Sequence, residues 1–257
     1  MIVFVGCSSE DHRSKMIGLE AFNETLGKKK SKALDEAVDS FDDFLTANFP
    51  NQPTYADRAL MFLLKLDSAC QEGAVFSLDS SWVLNSDDKS LVDLFEHSGL
   101  RSEIWLYGYE EYTPNHDLSD FVDTSRHYYS MDTYSPIEVP NDSALIEEAK
   151  DLSKIEEVGS DTIFRRLKAK WERRNNSLWT NHRGDFIYSL IKHSLDSSWT
   201  KSYALLNAEN SISVCVLIPS LIEFSGTKVD LSDPLIKRII AVELYYSIVY
   251  VSLKEKK

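Results

Sequence analysis

Residues 165–183, RRLKAKWERRNNSLWTNHR, hold the side chains best suited to chemistry. Seven Lys or Arg stand there with one acid, Glu172, two tryptophans and His182. Arg165, Arg166, Lys168, Lys170 and Arg173, at helical spacing, can neutralise phosphates, and Trp171 or Trp179 can stack on a base. That chemistry is contact with nucleic acid. A formal net charge of −13 over 257 residues opposes it, leaving only a local patch acting within a Debye length of about 8 Å at physiological salt. The same cations can instead pair with an acidic helical segment just upstream, residues 143–157.

Arg174-Asn175 with His182, seven residues separating Arg174 from the histidine, resembles the Arg-Asn…His motif of HEPN-type ribonucleases. The resemblance implies that Arg174 and His182 converge on a scissile phosphate, with the histidine acting near neutral pH. At the other end of the chain, FVGCSSED (residues 4–11) resembles the first box of TIR domains. Gly6 and Cys7 stand where that family has Ser and an aromatic or His. Ser80-Ser81-Trp82 is similar to the same family's Ser-x-Trp box, but Ser86 occupies the place of its glutamate. The ordinary reading of residues 2–11 is a buried strand running into a Ser/Asp turn.

Other catalytic templates are missing. No GxxxxGK[ST] or GxGxxG cradle, GxSxG elbow or HExxH helix occurs. Cys7, Cys70 and Cys215 are odd in number and far apart, without CxxC or HxxxH spacing. They read as reduced core thiols of a cytoplasmic protein, and no metal or cofactor is expected. His182 and His193, eleven apart, would share a face only if one helix ran through Gly184. The N-terminus lacks a basic leader, and the apolar run 239–253 is interrupted by Glu243, so neither a signal peptide nor a membrane span is expected.

Charge divides the chain. Residues 1–164 hold 32 acids and 13 bases, whereas residues 165–257 hold 9 acids and 15 bases. Between Glu103 and Asp161 there are 15 acids against 3 bases, interspersed with Tyr109, Tyr112, Tyr128 and Tyr129. Such a surface suits a basic protein partner, since carboxylates steer association and tyrosines give contact area at low entropy cost. Packed by its own tyrosines, the same stretch is an irregular solvated loop.

The elements that must position these residues are mostly helical. Gly and Pro number only 9 and 7, which favours long helices over short strands and turns. Leu34, Ala37, Val38, Phe41, Phe44 and Leu45 predict a helix over 32–49, preceded by a solvated loop holding Lys28-Lys29-Lys30. Thr54 as N-cap with Asp57 at N3 predicts a second helix to about residue 71, antiparallel to the first. Helices are also expected at 90–97, 143–157, 160–171 and 185–195. Strands are expected at 2–5, 74–84 and 103–107, and a buried one at 212–224. Pro234 at N1 after Asp233 starts a long C-terminal element whose aromatic and β-branched content is also compatible with a strand.

The fold class expected is α+β, helix-dominated with a few short buried strands. An acidic α/β lobe, 1–159, would precede a basic helical lobe, 160–257, that carries the buried strand and the C-terminal element, unless the two form one domain. The function expected is a non-catalytic cytoplasmic binding protein that recognises a basic protein partner through an acidic face. The alternatives are a HEPN-like ribonuclease and a nucleic-acid-contacting subunit using 165–183.

Overall fold

Apolar residues at helical spacing build most of what the computed structural model describes, residues 9–71, 88–108, 110–118, 121, 178–195, 198–209, 212 and 214–250. The helices are α1 (Ser9–Leu26), α2 (Lys28–Asn48), α3 (Tyr55–Gln71), α4 (Asp88–Ser98), α5 (Leu100–Ile104), α6 (Asp185–His193), α7 (Trp199–Glu209), α8 (Val214–Phe224) and α9 (Pro234–Ile239). Strands β1 (Trp105–Tyr107) and β2 (Leu178–Thr180) pair antiparallel, with Leu106 opposite Trp179. The fold is therefore α+β and helix-dominated, with one two-stranded sheet among the described residues.

Local sequence explains the helix ends. At the start of α3, Asp57 donates its N–H to Thr54 Oγ1 (3.1 Å), and the Thr54 hydroxyl donates to Asp57 Oδ2 (2.6 Å). This is the predicted reciprocal cap. Asp233 caps α9 by accepting the N–H of Leu235 at 2.9 Å, with Pro234 at N1. A left-handed Gly27 (φ 87°) separates α1 from α2, and Gly99 (φ 78°) separates α4 from α5.

The helix stripe of α2 buries Ala33, Leu34, Ala37, Phe41, Phe44 and Leu45. Phe41 and Phe44 meet Phe62 of α3 and Tyr245, with ring centroids 4.7 to 5.9 Å apart. Each such side chain contributes about 1.5–3 kcal/mol of transfer free energy. Phe95, Trp105, Tyr246 and Tyr250 make a second aromatic group in the same apolar core, which draws on elements from both ends of the chain. The C-terminal element is a helix. It runs from α9 through a π-helical segment, Ile240–Tyr246, in which every residue is buried.

Several expectations need correction. The expected strand at 212–224 is helix α8. Its apolar run lacks a period of its own, but Leu217, Ile218 and Leu221 bury one helical face against the core. Pro219 sits inside it, so no N–H is available there for the carbonyl of Cys215. The cysteines expected as free thiols include a bonded pair: Cys70 of α3 and Cys215 of α8 form a disulfide between two helices packed together. Lys28, Lys29 and Lys30 are not in a loop; they form the first turn of α2. The Ser/Asp turn expected up to residue 11 is already helical from Ser9, in α1, and α7 is a helix where none was expected. Of the expected 103–107 strand, residues 105–107 are strand and the first two close α5. The strands expected at 2–5 and 74–84, the helices at 143–157 and 160–171, the divide at 159 and the TIR-like residues Gly6, Cys7, Ser80, Ser81, Trp82 and Ser86 lie outside the described residues.

Candidate functional site

Two carboxylates meet beneath the 110–118 segment. Glu103 lies in the last turn of α5 and Asp185 begins α6, and both are almost fully buried. Asn181 brings them together. Its N–H donates to the Ile104 carbonyl at 2.7 Å, and its Nδ2 donates to the Ser102 carbonyl at 2.6 Å. Gly184 lets the backbones touch: a Cβ there would stand 1.9 Å from the Glu103 carbonyl oxygen. As a result the Asp185 N–H donates to Glu103 Oε2 at 2.7 Å.

Lys30, from the first turn of α2, reaches both acids. Its ammonium bonds Glu103 Oε1 and lies 3.3 Å from Asp185 Oδ2. Burial opposes the charge on Lys30, but the hydrogen bonds and attraction of Glu103 and Asp185 outweigh it, so its pKa rises. Tyr112 donates its hydroxyl to Glu103 Oε2 at 2.7 Å, and Asn115 donates Nδ2 to Asp185 Oδ2 at 3.0 Å. Burial and the Glu103 hydrogen bond push the Tyr112 phenol up. Arg101 anchors the start of this segment by a forked pair with Glu110, which also accepts the Tyr107 N–H. Two buried carboxylates thus share one ammonium, and Asp185 Oδ1 makes no hydrogen bond among the described residues. His116 Nε2 lies 3.7 Å from that oxygen, and its ring stacks on Tyr188 with centroids 3.9 Å apart. On the outer side of His116 a cleft of about 510 Å3 opens between residues 114–118, Arg183 and Ala208.

A second polar feature lies on α2. Asp35, Asp39 and Asp43 follow one another at four-residue spacing and are all exposed, with Glu36 and Asp42 beside them. Arg238 pairs with Asp35, and Arg58 with Asp42 (3.1 Å). Asp39 and Asp43 form no ion pair among the described residues.

Of the residues singled out from the sequence, Arg165, Arg166, Lys168, Lys170, Trp171, Arg173, Arg174, Tyr109, Tyr128 and Tyr129 lie outside the described residues. Trp179 is half exposed on β2. His182 is half-buried in the turn before α6, and its Nδ1 bonds the Asn207 carbonyl of α7. His193 ends α6, where its Nε2 bonds the Thr25 hydroxyl at 2.8 Å. Helix α6 begins only at Asp185, so the two histidines share no helix. Tyr112 is part-buried and faces Glu103. Lys30, Glu103, Asn115, His116 and Asp185 were not singled out, because no local spacing links them. Among the described residues no three His, Cys, Asp or Glu side chains are grouped to hold a metal ion, and no helix is long and apolar enough to cross a membrane.

The chain matches no protein-family model, no curated protein and no solved structure.

Proposed function

We propose that the protein is a non-catalytic cytoplasmic binding protein that recognises a basic protein partner through an acidic face, in the manner of immunity proteins or subunits of defence complexes. The observation that carries this reading is the outer face of α2. Asp35, Asp39 and Asp43 stand exposed along about two turns of a helix whose opposite face is locked into the core. A rigid row of carboxylates loses little entropy on docking, and it sits in a half of the chain that carries 32 acids against 13 bases. In the reducing cytoplasm the Cys70–Cys215 pair would stand as a dithiol between α3 and α8.

The test is capture from the native host at about 0.15 M salt, comparing the wild type with Asp39→Lys/Asp43→Lys. A basic protein retained by the wild type, released by high salt and lost at least about tenfold from the double variant is the expected result. Recovery of no basic protein, or equal recovery by both, defeats the reading. The same preparations can be incubated with RNA. Cleavage that Arg174→Ala or His182→Ala abolishes would move the protein to the ribonuclease alternative.

A further inference from the structure

The cleft outside His116 has no α2 residue in its lining and has a different chemistry from the outer face of that helix. At about 510 Å3 it falls within the range of small-molecule sites, about 300–1,000 Å3. Its walls pair two cationic or donor groups with apolar surface. Arg183 is exposed, and its guanidinium meets no carboxylate among the described residues. His116 is held from behind: Tyr188 stacks on its ring and Asp185 lies 3.7 Å from Nε2. Its Nδ1 makes no hydrogen bond among the described residues and remains as a ligand contact. Asp117 adds a carboxylate to the lining, while Pro114, Leu118 and Ala208 supply apolar wall.

We propose that this cleft binds a small phosphate monoester bearing hydroxyl groups, a sugar phosphate or a nucleoside monophosphate. A guanidinium matches two phosphate oxygens at once, and an imidazole N–H donates to a third. A carboxylate has about four lone-pair sites and can accept from sugar hydroxyls beside a partner it already has, which places the Asp117 side of the cleft over the sugar. The acid also discourages a polyanion, as does the net charge of −13, so the ligand is a single small molecule and not a nucleic acid strand.

Titration calorimetry of the full chain with ribose 5-phosphate and with adenosine 5′-monophosphate tests this, with ribose, adenosine and inorganic phosphate as controls. The expected result is binding of at least one phosphate monoester at least about tenfold tighter than its unphosphorylated counterpart. A preference for the nucleotide assigns the apolar wall to a base, and equal affinity assigns the cleft to sugar phosphates; either supports the proposal. Arg183→Ala and His116→Asn should each weaken binding about tenfold or more, while Lys32→Ala, on exposed α2 surface, should not. The His116 ring proton resonances, identified by their loss in His116→Asn, should move on titration. Absence of binding at millimolar ligand overturns the proposal, as does equal binding by wild type, Arg183→Ala and His116→Asn. So does binding with unmoved His116 resonances.

Discussion

Glu243 lies in the π-helical segment 240–246, buried among aromatic side chains, and its charge state should set how stability changes with pH. Tyr203 of α7 and Trp105 of β1 donate hydrogen bonds to its carboxyl, while its Oε1 makes none among the described residues. Burial pushes the pKa from 4.5 up to about 7, and the two hydrogen bonds offset only part of that. The sign follows from counting protons. Below pH 4.5 the group is protonated in both folded and unfolded chains. Between pH 4.5 and about 7 the unfolded chain releases the proton and the folded chain keeps it, so the folded state loses stability as pH rises. At about 1.4 kcal/mol per pH unit the whole loss amounts to about 3 kcal/mol, and it is complete above about pH 7. Other acids titrate in this range, so the measurement must be differential. Urea unfolding of the wild type and Glu243→Gln, followed by far-UV circular dichroism across that pH range, isolates the one group. The variant cannot ionise. Its stability relative to the wild type should climb by about 3 kcal/mol from below pH 4.5 to above about pH 7, whatever the offset between them at low pH. Parallel stability curves for the two proteins would refute the assignment of a neutral carboxyl to the core.

Lys30→Met should cost about 3–5 kcal/mol in urea unfolding, because it leaves Glu103 and Asp185 buried without their shared cation. A loss under about 1 kcal/mol would mean that water already screens the pair. The Cys70–Cys215 link closes a sequence separation of 145 residues, for which chain entropy gives an upper figure of roughly 5 kcal/mol. Cys70→Ser/Cys215→Ser should therefore unfold at lower urea than the oxidised wild type and match the reduced wild type. Equal midpoints for oxidised and reduced protein would show that the link adds nothing to stability.

How far the sequence could be read depended on whether the physics was local. Thr54 with Asp57, and Asp233 with Pro234, are legible because a cap is settled within four residues. The apolar stripe of α2 is legible because one face of one helix carries it. Helix α8 is not, since a continuous apolar run has no period and β-branched residues point equally to a buried strand. Helix α7 buries Thr200, Tyr203, Ala204 and Asn207, a face too polar to stand out as a stripe. The Lys30–Glu103–Asp185 cluster is harder still, because 73 and 155 residues separate the lysine from its two partners. One local signal did point to it. Counting back along the α2 stripe from Phe41 through Ala37 and Leu34 in steps of three or four reaches Lys30. A helix that starts at Lys28 therefore leaves Lys28 and Lys29 in solvent and turns Lys30 toward the core. A lysine on an apolar stripe needs a buried acid, and the chain supplies Glu103 and Asp185 only where Gly184 allows two backbones to meet. The pairing is thus implied by the period of one helix, but which acids answer it is decided by tertiary packing that no window of sequence contains.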